Sequence, residues 1–155
     1  MIYMIHNIRY RLFVYENEDE EELINGLHNI LPDVVPELEE AEGMLGEDDN
    51  ILIYSGIVDK KRYLKDFLFN LMNQLDNDQL LKLYDDLERK MDDQCNLFLR
   101  FSKDAAVDEK WQIVDRGDSI HLKIKIAAYP AKKDIALKNF SEYLISEIEA
   151  KEDWF

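Results

Sequence analysis

The stretch SIHLKIKIAAYPAKKD (Ser119–Asp134) decides how this chain is read. Ile120, Leu122, Ile124 and Ile126 alternate with His121, Lys123 and Lys125, the period of a strand with one buried and one solvated face. Between Ile120 and Lys133 stand Lys123, Lys125, Lys132 and Lys133 and no acid, in a chain of formal net charge -15. A purely basic strand in so acidic a protein asks what its polar face meets.

A second stretch answers in the same pattern. In MIHNIRYRLFVY (residues 4–15) Met4, Ile8, Tyr10, Leu12 and Val14 fall on one face, and Asn7, Arg9 and Arg11 on the other. CNLFLRFSK (residues 95–103) places Cys95, Leu97, Leu99 and Phe101 inward and Asn96, Phe98 and Arg100 outward. Every charged outward residue on these strands is basic. The excess acid lies elsewhere: residues 16–49 hold fourteen acids and neither Lys nor Arg.

The remaining segments switch period. ENEDEEELINGLHNILPD reads as a helix with a Leu23, Ile24, Leu27, Ile30, Leu31 stripe, Asn17 as N-cap and Pro32 as its end. The acidic run from Pro32 to Asn50 reads as a long connection or irregular edge. ILIYSGIV (51–58) is a strand apolar on both faces, which suggests burial or a bulge at Gly56. A helix capped by Asp59 follows, with Tyr63, Leu64, Phe67, Leu68, Leu71, Met72 and Leu75 on one side. After the cap at DND (76–78), Leu80, Leu81, Tyr84, Leu87 and Met91 mark its hairpin partner. WQIVD is a short strand, RGD a turn in which Gly117 supplies a positive φ, and a last helix starts at about residue 132.

The order β-α-β-α-α-β-β-β-α, without long βαβ alternation, predicts one α+β domain over residues 1–155: a mostly antiparallel sheet with helices packed on one face. No apolar run reaches the ~18 residues of a bilayer span, and MIYMIHNIRYRLFVY has no signal-peptide pattern. The single Cys95 excludes an internal disulfide, suits a reducing cytoplasm and reads as a buried structural thiol.

Outward bases with an interleaved ring are the footprint of RNA recognition: Arg9, Arg11, Arg100, Lys123 and Lys125 toward phosphates, Phe98 as a stacking platform, and His121 stacked on or hydrogen-bonded to a nucleotide. Lys132 and Lys133 would extend this surface, with Lys103 and Arg116 from neighbouring loops. Solvated strand residues give the same pattern, as does an interface between copies of the chain.

IHNIRYRLFVYENEDEE, LERKMDDQCNLFLRFSK and IHLKIKIAAYPAKK together resemble an archaeal family of predicted RNA-binding proteins described as exosome-associated. The resemblance covers nearly the whole chain. It implies a fold similar to the ribosomal protein that binds 5S ribosomal RNA, an RNA partner and a link to exosome or ribosomal proteins. The family's loop after the third strand reads nearer to D-K-Q-A-A. Here it is Ser102, Lys103, Asp104, Ala105, Ala106, so Lys103 alone carries over as an RNA contact.

Nothing points as firmly to catalysis. His6, His28 and His121 lack metal-ligand spacing with one another or with Cys95, and His6 falls in the buried phase of its strand. Asp92-Asp93 and Glu47-Asp48-Asp49 would suit Mg²⁺, but paired acids at helix ends are usually caps. No phosphate-cradling glycine loop occurs. The expectation is a non-enzymatic protein without metal or cofactor. The acidic 16–49 region offers an alternative, an assembly factor that docks basic proteins there; the aromatic end of AKEDWF reads as a short partner-binding peptide or as packing back on the core.

Overall fold

A computed structural model of the protein describes residues 4–42 and 50–152. Gly43, Gly46, the Glu47–Asp49 acids and the aromatic C-terminal pair lie outside the described residues. The elements are β1 (Ile5–Val14), α1 (Glu20–Ile30), β2 (Glu37–Glu42), β3 (Asn50–Val58), α2 (Lys61–Gln74), α3 (Asn77–Lys90), β4 (Asn96–Ser102), α4 (Lys103–Val107), β5 (Ser119–Ile126) and α5 (Lys133–Glu152). All strand pairs are antiparallel, in the order β2-β3-β1-β5-β4.

One face of this sheet is dry. Ile8, Tyr10, Leu12 and Val14 of β1, the four aliphatics of β5 and Leu97, Leu99 and Phe101 of β4 are buried with the inner faces of α2, α3 and α5. Among the described residues the opposite, open face presents Arg9, Arg11, Phe98, Arg100 and Lys123 to solvent, with Asn7, Phe13, His121 and Lys125 half-buried. Cys95 is buried beside this core, as its phase implies. Asp76 caps α3 by accepting from the Gln79 amide at 2.8 Å. At the end of α2, Lys151 of α5 donates to the carbonyls of Met72 and Leu75 at 2.6 and 3.0 Å, placing a cation where the helix dipole is negative.

Several expectations need correction. The acidic connection contains a strand: β2 pairs with β3 from Glu37↔Ser55 to Glu42↔Asn50 and forms the sheet's edge. Alternating acids hid it, because an edge strand needs no apolar face to be held by its ladder. WQIVD is not a strand. It makes one bridge, Ile113 to Phe101, while the Ser102 and Val114 amides bond to Gln112 and Arg100 at 2.9 Å. Trp111 anchors it instead, 5.3 Å from the Phe101 ring and 5.5 Å from Phe67. The N-caps are Asp19 and Lys60, not Asn17 and Asp59. On α3 the buried stripe is Leu80, Leu83 and Leu87, and Leu81 and Tyr84 are exposed. His6 is exposed because the β1–β5 register shifts between Ile5 and Asn7, a bulge that turns it outward.

Gly56 is not at a bulge, since the β1–β3 register runs unbroken from Ile8↔Val58 to Val14↔Leu52. Glycine is required there for space. A Cβ would lie 2.8 Å from Cζ of Tyr10 and 3.1 Å from Cε1, against a buried ring.

Lys103 is the largest departure. It opens α4 at 2% exposure, and its ammonium donates to the Phe13 carbonyl at 2.6 Å and to both oxygens of Glu18 at 3.0 and 3.3 Å. It ties the end of β1 to the approach of α1, so its ammonium is engaged inside the protein. Desolvating an ammonium is costly, so this one needs its carboxylate and carbonyl.

Gly56→Ala should lower the unfolding free energy by about 1–3 kcal/mol in chemical denaturation, and adding Tyr10→Phe should recover part of that loss. An unchanged midpoint would show that the β1–β3 contact is loose. Lys103→Met, which takes the ammonium from the Phe13 carbonyl and leaves Glu18 with the Tyr15 amide, should cost about 1–3 kcal/mol in the same assay.

Candidate nucleic-acid interface

The outward residues of the three strands at one side of the sheet meet in registered rows. Lys123 of β5 stands opposite Arg9 of β1 on one side and Phe98 of β4 on the other. Two residues along, His121 stands between Arg11 and Arg100. In the other direction Lys125 stands between Asn7 and Asn96. Neighbours across a row are about 5 Å apart and successive rows about 7 Å apart. The open face therefore holds four cations, an imidazole and a ring within a patch of two rows.

The arrangement is electrostatically unfavourable for the protein alone. Like charges directly opposite on adjacent strands destabilise a sheet, yet Arg9 faces Lys123. Among the described residues no carboxylate lies within ion-pair distance of Arg9, Arg11, Arg100 or Lys123. The helical layer shows the opposite habit, with Lys82, Arg89 and Lys90 gathered about Asp115, whose carboxyl they hold far below the usual range.

Phe98 is 44% exposed and carries the Lys123 ammonium 5.9 Å from its ring centroid. His121 is half-buried, its ring edge-on to Phe13 at 5.9 Å. Burial first, then Arg100, Arg11 and Lys103, push its pKa down, so the imidazole is neutral at pH 7. A depression of about 1330 Å³ is lined by Arg9, Arg11, Phe98, Arg100, His121 and Lys123 and, toward its other end, by Asp33, Glu37, Asp59, Lys60 and Asp66.

The other candidate residues fare unevenly. Lys125 is half-buried and bonded to the Gln94 carbonyl. Lys133 faces α3, 3.7 Å from Glu88, and so belongs to the helical layer and does not extend the rows. Lys132 is exposed at the start of α5, outside the strand register. Arg116 is exposed in the loop before β5. Asp92 caps its own turn, accepting from Gln94 and Asn96; burial raises its pKa, but these bonds and the Lys123 charge outweigh it and hold the carboxyl low. His28 bonds to the Val34 carbonyl at 3.0 Å. No cluster of metal-ligating side chains occurs among the described residues, and none of their helices is long and apolar enough to cross a membrane.

Sequence reasoning missed the β3 side of this face. Ile57 is 45% exposed, and Ile51 and Ile53 are half-buried on the open side. The signal was present in a strand apolar on both faces, but it read as two-sided burial.

The model of a family described as RNA binding matches residues 7–126. The RNA-binding protein PAB1135 of Pyrococcus abyssi is 32% identical over 148 residues, covering 92% of this chain and 95% of its own. Among solved structures, the DUF54 protein Mth689 from Methanothermobacter thermautotrophicus is 42% identical with a TM-score of 0.81, over 91% of this chain and 98% of that one. Protein AF2318 from Archaeglobus fulgidus superposes with a TM-score of 0.76 at 25% identity, over 90% of this chain and 99% of that one. With a match across strands β1 to β5, the chain belongs to this RNA-binding family.

Proposed function

We propose that the protein is a non-enzymatic RNA-binding module and that RNA is held on the open face of its sheet. The observation that carries this reading is the row Arg9–Lys123–Phe98 beside Arg11–His121–Arg100. Arg9 opposes Lys123 across strands, and none of the four cations has a carboxylate within ion-pair distance among the described residues, in a chain with 34 acids. A bound phosphate backbone relieves that repulsion, and Phe98 offers a face to a base. Arg9, Arg11, Arg100 and Lys123 take phosphates; Lys103 and Lys133 are removed from the binding set. The family resemblance supports a structured RNA as ligand and an association with exosome or ribosomal proteins.

A second reading rests on β2, which ends the sheet with no further strand beside it among the described residues and whose Glu37, Glu39 and Glu40 are exposed. A basic extended segment of a protein partner would find both hydrogen-bonding groups and charge there. RNA-independent capture of such a partner, lost on reversal of these acids, would favour it.

Two measurements test the first reading. Lys123→Thr should weaken RNA binding and lower the salt slope by about 0.7–0.9, while raising thermal stability by a few tenths of a kcal/mol through relief of the Arg9 contact, an effect of about the size of one cross-strand pair. Unchanged binding would remove the face from consideration. The second measurement uses pH. A phosphate set among Arg11, Arg100 and His121 raises the depressed imidazole pKa, so binding takes up a proton. Affinity should rise as pH falls from about 7.5 to 5.5, by at most about tenfold per unit for one proton, and His121→Asn should flatten the profile.

A further inference from the structure

We infer that the open face selects unpaired nucleotides and rejects continuous duplex, with the phosphate chain running along the β1–β5 seam and bases splayed to either side. The inference rests on the reading of this face as the RNA surface and adds the class of RNA it takes.

The row through Ile57, Arg9, Lys123 and Phe98 crosses four strands in register. Its two ends are apolar and exposed, Ile57 at 45% and Phe98 at 44%, and its two central positions are cationic. The next row, Ser55, Arg11, His121 and Arg100, again places charge on β1 and beyond. Cations therefore form a stripe from Arg9 and Arg11 on β1 through Lys123 on β5, with Arg100 beyond on β4, and Phe98 and Ile57 stand at the two ends of the first row. A single strand fits this cross-section. Its phosphates follow the stripe, and its unstacked bases reach Phe98 on one side and Ile57 on the other.

A duplex fits it poorly for two reasons. Paired bases are turned inward and cannot reach the flanking apolar residues. A duplex also presents a second phosphate ridge, and the face turns acidic where that ridge would come down on the β2 side. Glu37 pairs in register with Ser55, and Glu39 with Ile53, so both exposed carboxylates share the open face with Arg9 and Arg11. They stand two strands from β1, about 10 Å away. Like charge at that distance repels the second ridge without touching a strand held on the β1–β5 seam. The acidic edge thus acts as a fence that sets the width of what can lie on the sheet.

The test compares a labelled 12-nucleotide single strand, the same strand fully paired with its complement, and a hairpin that presents it as a loop, by fluorescence anisotropy at low salt. The single strand and the loop should bind about tenfold or more tightly than the duplex. Phe98→Ala should weaken the single strand by about tenfold, the scale of one lost base–ring stack, without changing the salt slope, and Phe98→Trp should restore it. The double variant Glu37→Gln with Glu39→Gln should improve duplex binding and leave the single strand nearly unchanged. Equal affinity for single strand and duplex, with Phe98→Ala silent, would overturn the inference even where Lys123→Thr still weakens both; binding of none of the three RNAs would overturn the surface itself.

Discussion

The antiparallel register of β1 against β5 is the constraint on which the molecule depends. β1 is the central strand, paired with β3 on one side and β5 on the other, so its register is fixed twice. A slip by one residue would drive Arg9 and Arg11 into the core and turn Ile8 and Leu12 to water. Tyr10 packed over Gly56 resists such a slip, because only glycine leaves room for the ring. The bulge near Asn7 confines the irregularity to one end, where His6 turns outward at no cost to the rows.

That register also concentrates the electrostatic tension of the protein. With acids outnumbering bases, each exposed cation could have been given a carboxylate, and in the helical layer many are. Asp86 and Asp115 bind Lys82, Arg89 and Lys90 there. On the opposite face Arg9 stands directly across from Lys123, Arg11 and Arg100 flank His121, and none of the four has a carboxylate within ion-pair distance among the described residues. A sheet shaped by stability alone would place opposite charges across the Arg9–Lys123 pair. The stability forgone is modest, on the scale of one cross-strand pair.

The same cation type serves two ends depending on burial. Lys103 is the residue that the family resemblance marked, and its ammonium is spent inside, joining Phe13 and Glu18. Matching a motif position identified a residue of consequence, but its consequence is the placement of α4 and of the β1 terminus. Phe98 and Ile57 show the converse. Both are hydrophobic residues left in water, and they frame the cationic stripe that polar residues alone would leave without shape.

Alternation in Arg9–Val14, Leu97–Phe101 and Ile120–Ile126 was sufficient to identify three strands and to say which residues share a face. A period of two admits only one assignment of sides once an apolar set is chosen. Helical periodicity likewise located α1, α2, α3 and α5, with errors of a residue or two at caps. What local pattern could not supply was everything that depends on a distant neighbour. The acidic strand β2 exists because β3 offers it a ladder, Trp111 pulls its segment out of strand geometry into contact with Phe67, and Lys103 is buried because Glu18 and Phe13 converge on it. Charge sign and alternation are properties of the chain itself, so the sequence determined which strand residues are basic and which of them share a side of their strand. Which bases lie side by side, which are consumed by partners and where the acids bound the surface follow from pairing between strands far apart in the chain, and only the tertiary structure decided them.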